Sequence, residues 1–413
     1  MKVTKPLFDS IGKFVDYYSR FNPSPLSIKK FIDFGRKKCE KTSFVFLRKE
    51  LAVRLANIMQ EINLLPENLL RMPSVALVQS WYRSSFEEIL KFGKADENEK
   101  KVLEDFCEKL IRIRNRHSGV VQTMANGVLE LKETHRVEQH TEHSIQYFLN
   151  RFYMSRISIR MLINQHALLF GSDMPSHPRH IGCVDPNCDV SAVIRDAFEN
   201  AKFLCDQYYL ASPGLRLEQF NTPQPGAPIS VVYVPSHLYH ILFELFKNAM
   251  RAVVENYPEA EALPPINVLL VNGNEDITIK MSDRGGGIKR SLSHLLFQYM
   301  YSTAPRPSVS GISSAPLAGY GYGLPLSRLY ARYFHGDLIV NSYEGYGTDA
   351  LVYLKVLSSE ANELLPVFNK TSTKHYKAVI GSHDWSSSIV SPPSNAQGKT
   401  STEQPVEPVG IGN

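Results

Sequence analysis

Between about residues 8 and 172 apolar side chains recur every three or four positions, charged ones fill the opposite faces and glycine is scarce. That spacing lines side chains along one face of a helix and gives a strand no consistent inside, so this part of the chain is committed to helices that must pack on one another. The run L-R-K-E-L-A-V-R-L-A-N-I-M-Q-E-I is a clear instance, and further long segments cover 74–91, 98–132 and 141–170. Four or more long helices with short connections form an antiparallel helical bundle.

The stretch G-S-D-M-P-S-H-P-R-H-I-G-C-V-D-P-N-C-D-V at 171–190 breaks the pattern with Pro, Gly and Asp, and the domain boundary is placed there. Beyond it the spacing predicts a helix over 190–208, an apolar β-rich run I-S-V-V-Y-V at 229–234 and a second helix opened by Ser236 as N-cap. I-N-V-L-L-V and I-T-I-K-M-S flank the turn residues N-G-N-E-D as a β-hairpin, and D-L-I-V-N-S and T-D-A-L-V-Y-L-K-V flank Y-E-G-Y-G. The fold class is therefore α+β in two domains, a four-helix bundle followed by an α/β sandwich with antiparallel pairing. Residues 302–318, rich in Ser, Pro, Gly and Ala, are too long for an ordinary connector and suit a lid. From 371 onward Ser, Thr, Pro and Asn dominate apart from the island H-D-W at 383–385, where Trp385 suits an anchor. The expected divisions are 1–178, 179–370 and the tail 371–413.

Several classes of function are excluded. The net charge of +5, from 46 basic and 41 acidic residues, is too small an imbalance to argue for nucleic acid. No apolar run reaches the ~20 residues that span a bilayer, so membrane insertion is not expected. Cysteines 39, 107, 183, 188 and 205 form no disulfide framework and suggest reduced thiols, and the C-x4-C pair Cys183 and Cys188 finds no second ligand pair for zinc. The N-terminal M-K-V-T-K-P-L-F-D-S-I-G-K-F lacks the arginines of a mitochondrial presequence and contains Asp9.

The helix H-L-Y-H-I-L-F-E-L-F-K-N-A-M-R-A at 237–252 sets His240, Glu244, Asn248 and Arg251 at spacings of four, four and three, on one face that is too polar to be plain core. S-D-R-G-G-G-I at 282–288 follows a strand and leaves Asp283 at its end; that carboxylate can accept a hydrogen bond from an exocyclic amine, or simply cap a tight turn. G-Y-G-Y-G-L-P-L-S at 319–327 runs into a helix, and successive glycine amides at a helix N-terminus suit a phosphate.

In combination, E-x3-N, then D-x-G-G-G, then G-x-G-x-G opening a helix, then G-T before a last strand, resemble the GHKL superfamily of ATP-binding domains over roughly residues 190–357. The resemblance implies the Bergerat sandwich with a mixed, mostly antiparallel sheet, Mg²⁺ held by Asn248, adenine read by Asp283, and phosphates covered by Gly319, Gly321 and Gly323. A single amide oxygen suffices for a magnesium ion that keeps several waters. Glu244, one turn before Asn248, would then lie beside the γ-phosphate as general base, with His240 holding it by a hydrogen bond. A sensor histidine kinase is disfavoured, because His117 is followed by S-G-V-V and not by an acidic residue and proline.

R-M-P-S-V-A-L-V-Q-S-W-Y at 71–82, I-R-N-R-H at 113–117, R-F-Y-M-S-R-I-S-I-R-M-L-I-N-Q-H at 151–166 and M-Y-S-T-A-P-R-P at 300–307 narrow this further. With the glycine run and the D-W tail they closely resemble the mitochondrial pyruvate dehydrogenase kinases over nearly the whole chain. That family phosphorylates serines on the decarboxylase component of its complex and switches the complex off, using ATP and Mg²⁺; a K⁺ ion near the nucleotide is left open. The resemblance implies ATP contacts by Lys247, Arg251, Gly287, Ser302, Thr303, Tyr322, Leu324 and Thr348 besides the residues above. It implies a pyruvate or dichloroacetate pocket at Tyr82, Arg114, His117 and Arg156, and lipoyl-domain contacts from the acetyltransferase core at Phe31 and Phe44. It also implies a homodimer tied by Asp384 and Trp385, and the mitochondrial matrix as the place of action. The rivals are the branched-chain α-keto acid dehydrogenase kinase and, from another class, a plain ATPase or silent ATP-binding scaffold.

Overall fold

The helical periodicity is realised as α1 (Pro6–Tyr18), α2 (Ile28–Lys37), α3 (Glu40–Ile62), α4 (Glu67–Leu70), α5 (Pro73–Leu90), α6 (Lys100–Arg116), α7 (Val120–Thr134) and α8 (Gln139–Phe170). The computed structural model describes residues 6–171, 177–303 and 321–377, which belong to one compact unit. Pro73 at the first position of α5 lacks only an N–H that would have no helical partner. The helix expected over 98–132 divides: His117 ends α6, and Ser118 and Gly119, weak helix formers, turn the chain into α7. The middle of α8 is buried on nearly every side, the mark of a helix surrounded by others, and it packs on α3 and α6 on one hand and on a later helix on the other.

Phe31 and Phe44, expected as outward contacts for a lipoyl domain, turn inward at 3% and 0% exposure. Phe44 stands edge-on to Phe106 with centroids 4.8 Å apart. The amphipathic phase of α2 and α3 decides this, since both rings fall on the stripes that build the bundle core.

The second half runs β1 (Asp185–Asp189), α9 (Val190–Tyr209), β2 (Leu215–Asn221), β3 (Ser230–Tyr233), α10 (Pro235–Asn256), β4 (Ile266–Asn272), β5 (Asp276–Ser282), a 3₁₀ turn at Arg290–Leu295, α11 (Gly323–Tyr333), β6 (Asp337–Tyr343), β7 (Gly347–Lys355) and α12 (Lys370–Lys377). Both predicted hairpins form, β4–β5 and β6–β7. The sheet order is β2-β4-β5-β7-β6, parallel between β2 and β4 and antiparallel elsewhere, so it is mixed and mostly antiparallel. Sequence reasoning marked neither β2 nor β1, the latter paired with β3 in a small ribbon. It also misplaced the start of α10, where Pro235 takes the first turn and Val234, not Ser236, occupies the cap position.

Ile277, Ile279 and Met281 of β5 face the core shared with Ile241, Leu245 and Phe246 of α10. The other sheet face is uncovered, with Leu269, Ile339 and Phe220 exposed at 39%, 41% and 63%. Bundle and sheet are joined by Arg54, which is 2% exposed. Its guanidinium meets Glu363 at 2.8 and 2.7 Å and Glu50 at 2.8 Å, and Tyr333 at the end of α11 donates to Glu363. Among the described residues no helix is long and apolar enough to cross a membrane, and no group of three His, Cys, Asp or Glu side chains could hold a metal ion.

Candidate functional site

Ile241, Leu242, Leu245, Phe246, Ala249 and Met250 of α10 are buried at helical spacing, which turns His240, Glu244, Lys247, Asn248 and Arg251 to the opposite, half-buried face. Glu244 pairs with Lys247 Nζ at 2.7 Å. Its other oxygen lies against Gly323, so close that a β-carbon at that position would clash with it. The carboxylate thus sits at the N-terminus of α11, where unpaired amides and the helix dipole favour negative charge.

The expected hydrogen bond from His240 to Glu244 is absent. His240 Nε2 is buried without a partner and its ring packs on Tyr330 of α11, with centroids 4.7 Å apart. Burial holds its pKa below the usual histidine range; Glu244 pulls the other way, while Lys247 and Arg156 add to the depression. The helix turn that was to bring imidazole and carboxylate together is used by the i,i+3 pair Glu244–Lys247 instead. Arg251 likewise bonds Glu255 at 2.8 Å, and Tyr209 shares that carboxylate. Asn248, one turn beyond Glu244, makes no side-chain hydrogen bond among the described residues, and its amide oxygen suits a magnesium ion that retains its waters.

Asp283, 9% exposed, closes the site at the end of β5. Its Oδ1 accepts from the amides of Gly285 at 2.8 Å and Thr348 at 3.3 Å, while burial pushes its pKa up to about 6. Thr348 shares its hydroxyl with Ser342 at 2.8 Å, and Ser342 takes the Ile288 amide at 2.7 Å, so the loop is stitched to β6. Gly287, at φ +69°, lies against the Tyr343 carbonyl where no side chain fits.

Gly321, at φ +70°, packs directly on the backbone of Tyr301. The Tyr322 side chain is 6% exposed and its ring packs on Tyr153 and Tyr299, so a nucleotide contact there would fall to its backbone. Leu324 packs partly on the core, Ser302 is half-buried and Thr303 is exposed. Gly319, Asp384 and Trp385 lie outside the described residues.

In the bundle the helix break after α6 drops the His117 ring onto Tyr82, with centroids 4.6 Å apart. Ser85 Oγ lies 3.0 Å from His117 Nε2, and Arg156 Nη2 donates to the His117 carbonyl at 3.4 Å. Burial, helped by the charges of Arg156, Arg116 and Arg160, holds the imidazole neutral with its pKa down to about 4. The Tyr82 hydroxyl and Arg156 Nε are buried without partners. Burial lowers the pKa of Arg160, and the charges of Arg156 and Arg114 lower it further, so positive charge gathers at this end of the bundle. Buried unpaired donors among gathered cations suit a small anion.

Two families match the sequence: that described as mitochondrial branched-chain alpha-ketoacid dehydrogenase kinase over residues 25–185, and that of histidine kinase-, DNA gyrase B- and HSP90-like ATPases over 233–358. A mitochondrial [pyruvate dehydrogenase (acetyl-transferring)] kinase of Drosophila melanogaster is 61% identical over 385 residues, covering 92% of this chain and 93% of its own. Human isozyme 1 is 59% identical over 375 residues, covering 90% and 86%, and the Ascaris suum enzyme is 55% identical over 381, covering 92% and 95%. The chain belongs to the mitochondrial pyruvate dehydrogenase kinase family.

For a pyruvate dehydrogenase kinase the sequence analysis overlooked two elements of these sites. Arg160 follows Arg156 by one turn in R-I-S-I-R, and that i,i+4 spacing was the available signal. Tyr330 gave none: it comes from α11, ninety residues past His240, and its ring packs on that imidazole.

Proposed function

We propose that this chain is a protein serine kinase that transfers the γ-phosphoryl group of ATP to the decarboxylase component of the pyruvate dehydrogenase complex in the mitochondrial matrix, and so inactivates that complex. The observation that carries the proposal is the 61% identity with the Drosophila melanogaster kinase along 92% of the chain. Glu244, Asn248 and Asp283 at the expected places support it. Residues 179–370 would form the kinase part and 1–178 the regulatory, lipoyl-binding part.

Asp283 Oδ2 accepts a hydrogen bond from the adenine amine, and Gly287, Thr348, Ser302, Thr303 and the Gly321–Leu324 amides surround the nucleotide. Asn248 holds Mg²⁺, which when bound neutralises the phosphate charge. Glu244 takes the proton from the substrate serine as its oxygen bonds the γ-phosphorus and the bond to the β-phosphate oxygen breaks. Lys247, released from Glu244 as that carboxylate is protonated, can donate towards the phosphoryl oxygens. Arg251 keeps its place through Glu255.

Tyr82, Arg114, His117 and Arg156, with Arg160, form an inhibitory pocket for pyruvate or dichloroacetate, the carboxylate pairing with guanidinium, the phenol donating to a remaining oxygen and the neutral imidazole, held through Ser85, walling the pocket. Arg156→Ala is expected to raise the half-inhibitory concentration of dichloroacetate about 30-fold or more. Unchanged sensitivity would place the pocket elsewhere.

A lipoyl domain of the acetyltransferase core would dock around α2, whose Lys29, Lys30, Arg36 and Lys37 are exposed above the buried Phe31 and Phe44. A homodimer is supported by the uncovered sheet face, where Leu269 and Ile339 alternate with the Lys280–Asp349 and Arg216–Glu218 pairs. The decisive experiment incubates the protein with γ-labelled ATP and either intact pyruvate dehydrogenase complex or its branched-chain counterpart. Label is expected on a serine of the pyruvate decarboxylase component. Label on the branched-chain component alone would favour the rival kinase, and release as inorganic phosphate would favour an ATPase.

A further inference from the structure

The glycine run that leads into α11 is not held by the sheet domain alone. Gln146 of α8 pairs both backbone groups of one residue beside that run: the Tyr299 amide donates to Gln146 Oε1 at 2.8 Å, and Gln146 Nε2 donates to the Tyr299 carbonyl at 3.1 Å and, with its second hydrogen, to Glu142 Oε1 at 3.0 Å. A side-chain amide that pairs both backbone groups of a residue acts as a one-residue strand partner and fixes position and direction together. One turn on, Asn150 Oδ1 accepts the Tyr299 hydroxyl at 3.1 Å. Three residues further, the Tyr153 ring packs on Tyr299 at 5.4 Å and on Tyr322 at 5.8 Å, and Tyr299 and Tyr322 pack on each other at 5.2 Å.

The adjoining backbone records what this clamp holds. Met300 sits at φ +69°, a left-handed conformation that a residue with a β-carbon keeps only when its surroundings enforce it. The Tyr322 hydroxyl donates to Met300 Sδ at 3.4 Å, and Gly321 lies against the Tyr301 backbone. Gly323, next in line, touches the Glu244 carboxylate. An unbroken set of contacts therefore leads from α8 through Tyr299, Met300, Tyr301, Gly321 and Tyr322 to the catalytic carboxylate.

We infer that Gln146, with Asn150 and Tyr153, is a positioning residue of the bundle that sets nucleotide affinity by holding the Gly321–Gly323 amides in place. The inference rests on the assignment of those amides to the phosphate side of ATP. Gln146→Leu keeps the volume and removes both hydrogen bonds to Tyr299, together with the one to Glu142. It is expected to raise the KM for ATP and the dissociation rate of a fluorescent ADP analogue about tenfold, the worth of one or two hydrogen bonds, while kcat at saturating ATP changes less than twofold. Gln146→Glu retains the acceptor for the Tyr299 amide but sets a carboxylate against the Tyr299 carbonyl and Glu142, so it is expected to weaken ADP binding at least as much as Leu.

A merely structural role predicts a different pattern, a lower Tm without ligand and an unaltered ADP-induced rise. The expected result is the reverse, a near-normal Tm without ligand and a smaller rise with ADP. Wild-type KM and ADP dissociation in Gln146→Leu would overturn the inference. If that variant does not fold, Asn150→Ala and Tyr299→Phe must each speed ADP dissociation, and wild-type rates in both overturn it equally. A wild-type chain whose Tm does not rise with ADP would sink the phosphate-side assignment itself, and the inference with it.

Discussion

Glu244→Ala is expected to leave ATP binding largely intact and to lower phosphorylation of the decarboxylase component by about 10²–10⁴-fold, the usual worth of a positioned general base. Binding is expected to survive because Asp283, the proposed partner of adenine, lies at a different strand end, and because Asn248 holds its own place one turn away on α10. The residue left behind is small, so the Gly323 contact is relieved rather than strained. Lys247 loses its ion pair at the same time. Glu244→Gln therefore makes a useful companion, since it keeps a hydrogen-bonding group beside Lys247 but cannot take a proton. Single-turnover transfer measured alongside nucleotide binding separates the two effects, and transfer at the wild-type rate in either variant would remove Glu244 from the role of base.

The second large effect is on stability. Arg54→Met is expected to cost about 3–5 kcal/mol, because Glu50 and Glu363 then remain buried without their cation. Three guanidinium bonds of 2.7–2.8 Å and a donation to the Ser24 carbonyl at 3.1 Å disappear together. The measurement is the urea midpoint, which falls with little change in slope. Adding Glu363→Gln to Arg54→Met should recover part of the loss, since one stranded charge is removed, and such coupling is what a double-mutant cycle detects. A midpoint within experimental scatter of wild type for Arg54→Met would show that the cluster contributes nothing net.

Neither the Arg54 cluster nor the Gln146 clamp could be read from the sequence. Arg54 and Glu363 are 309 positions apart and Gln146 and Tyr299 are 153 apart, with no periodicity linking them. Local spacing carried what it physically can. The stripe Glu244–Asn248 on α10 and the β4–β5 hairpin follow from repeats of 3.6 and 2. It failed where a pattern continued through a turn, as at His117–Gly119, and where a side chain's phase was overruled by an assumed role. Phe31 and Phe44 lie on the inward stripe of their helices, and only the family likeness suggested otherwise. A motif likewise names the residues of a loop but not which side chains turn outward, as the buried Tyr322 ring shows.

α8 also bears on how such a kinase can change over generations. Gln146, Tyr153, Arg156 and Arg160 lie within fifteen residues of one continuous helix, a rise of about 21 Å. If the proposed keto-acid pocket is lost through Arg156 or Arg160, the substitution falls on the same rod that carries the glycine-run clamp. Substitutions at the two arginines that alter only charge leave the rod in register, whereas any insertion or deletion between 146 and 160 would rotate one set of side chains away from its partners. Drift in inhibitor sensitivity is therefore expected to proceed by replacement and not by change of length.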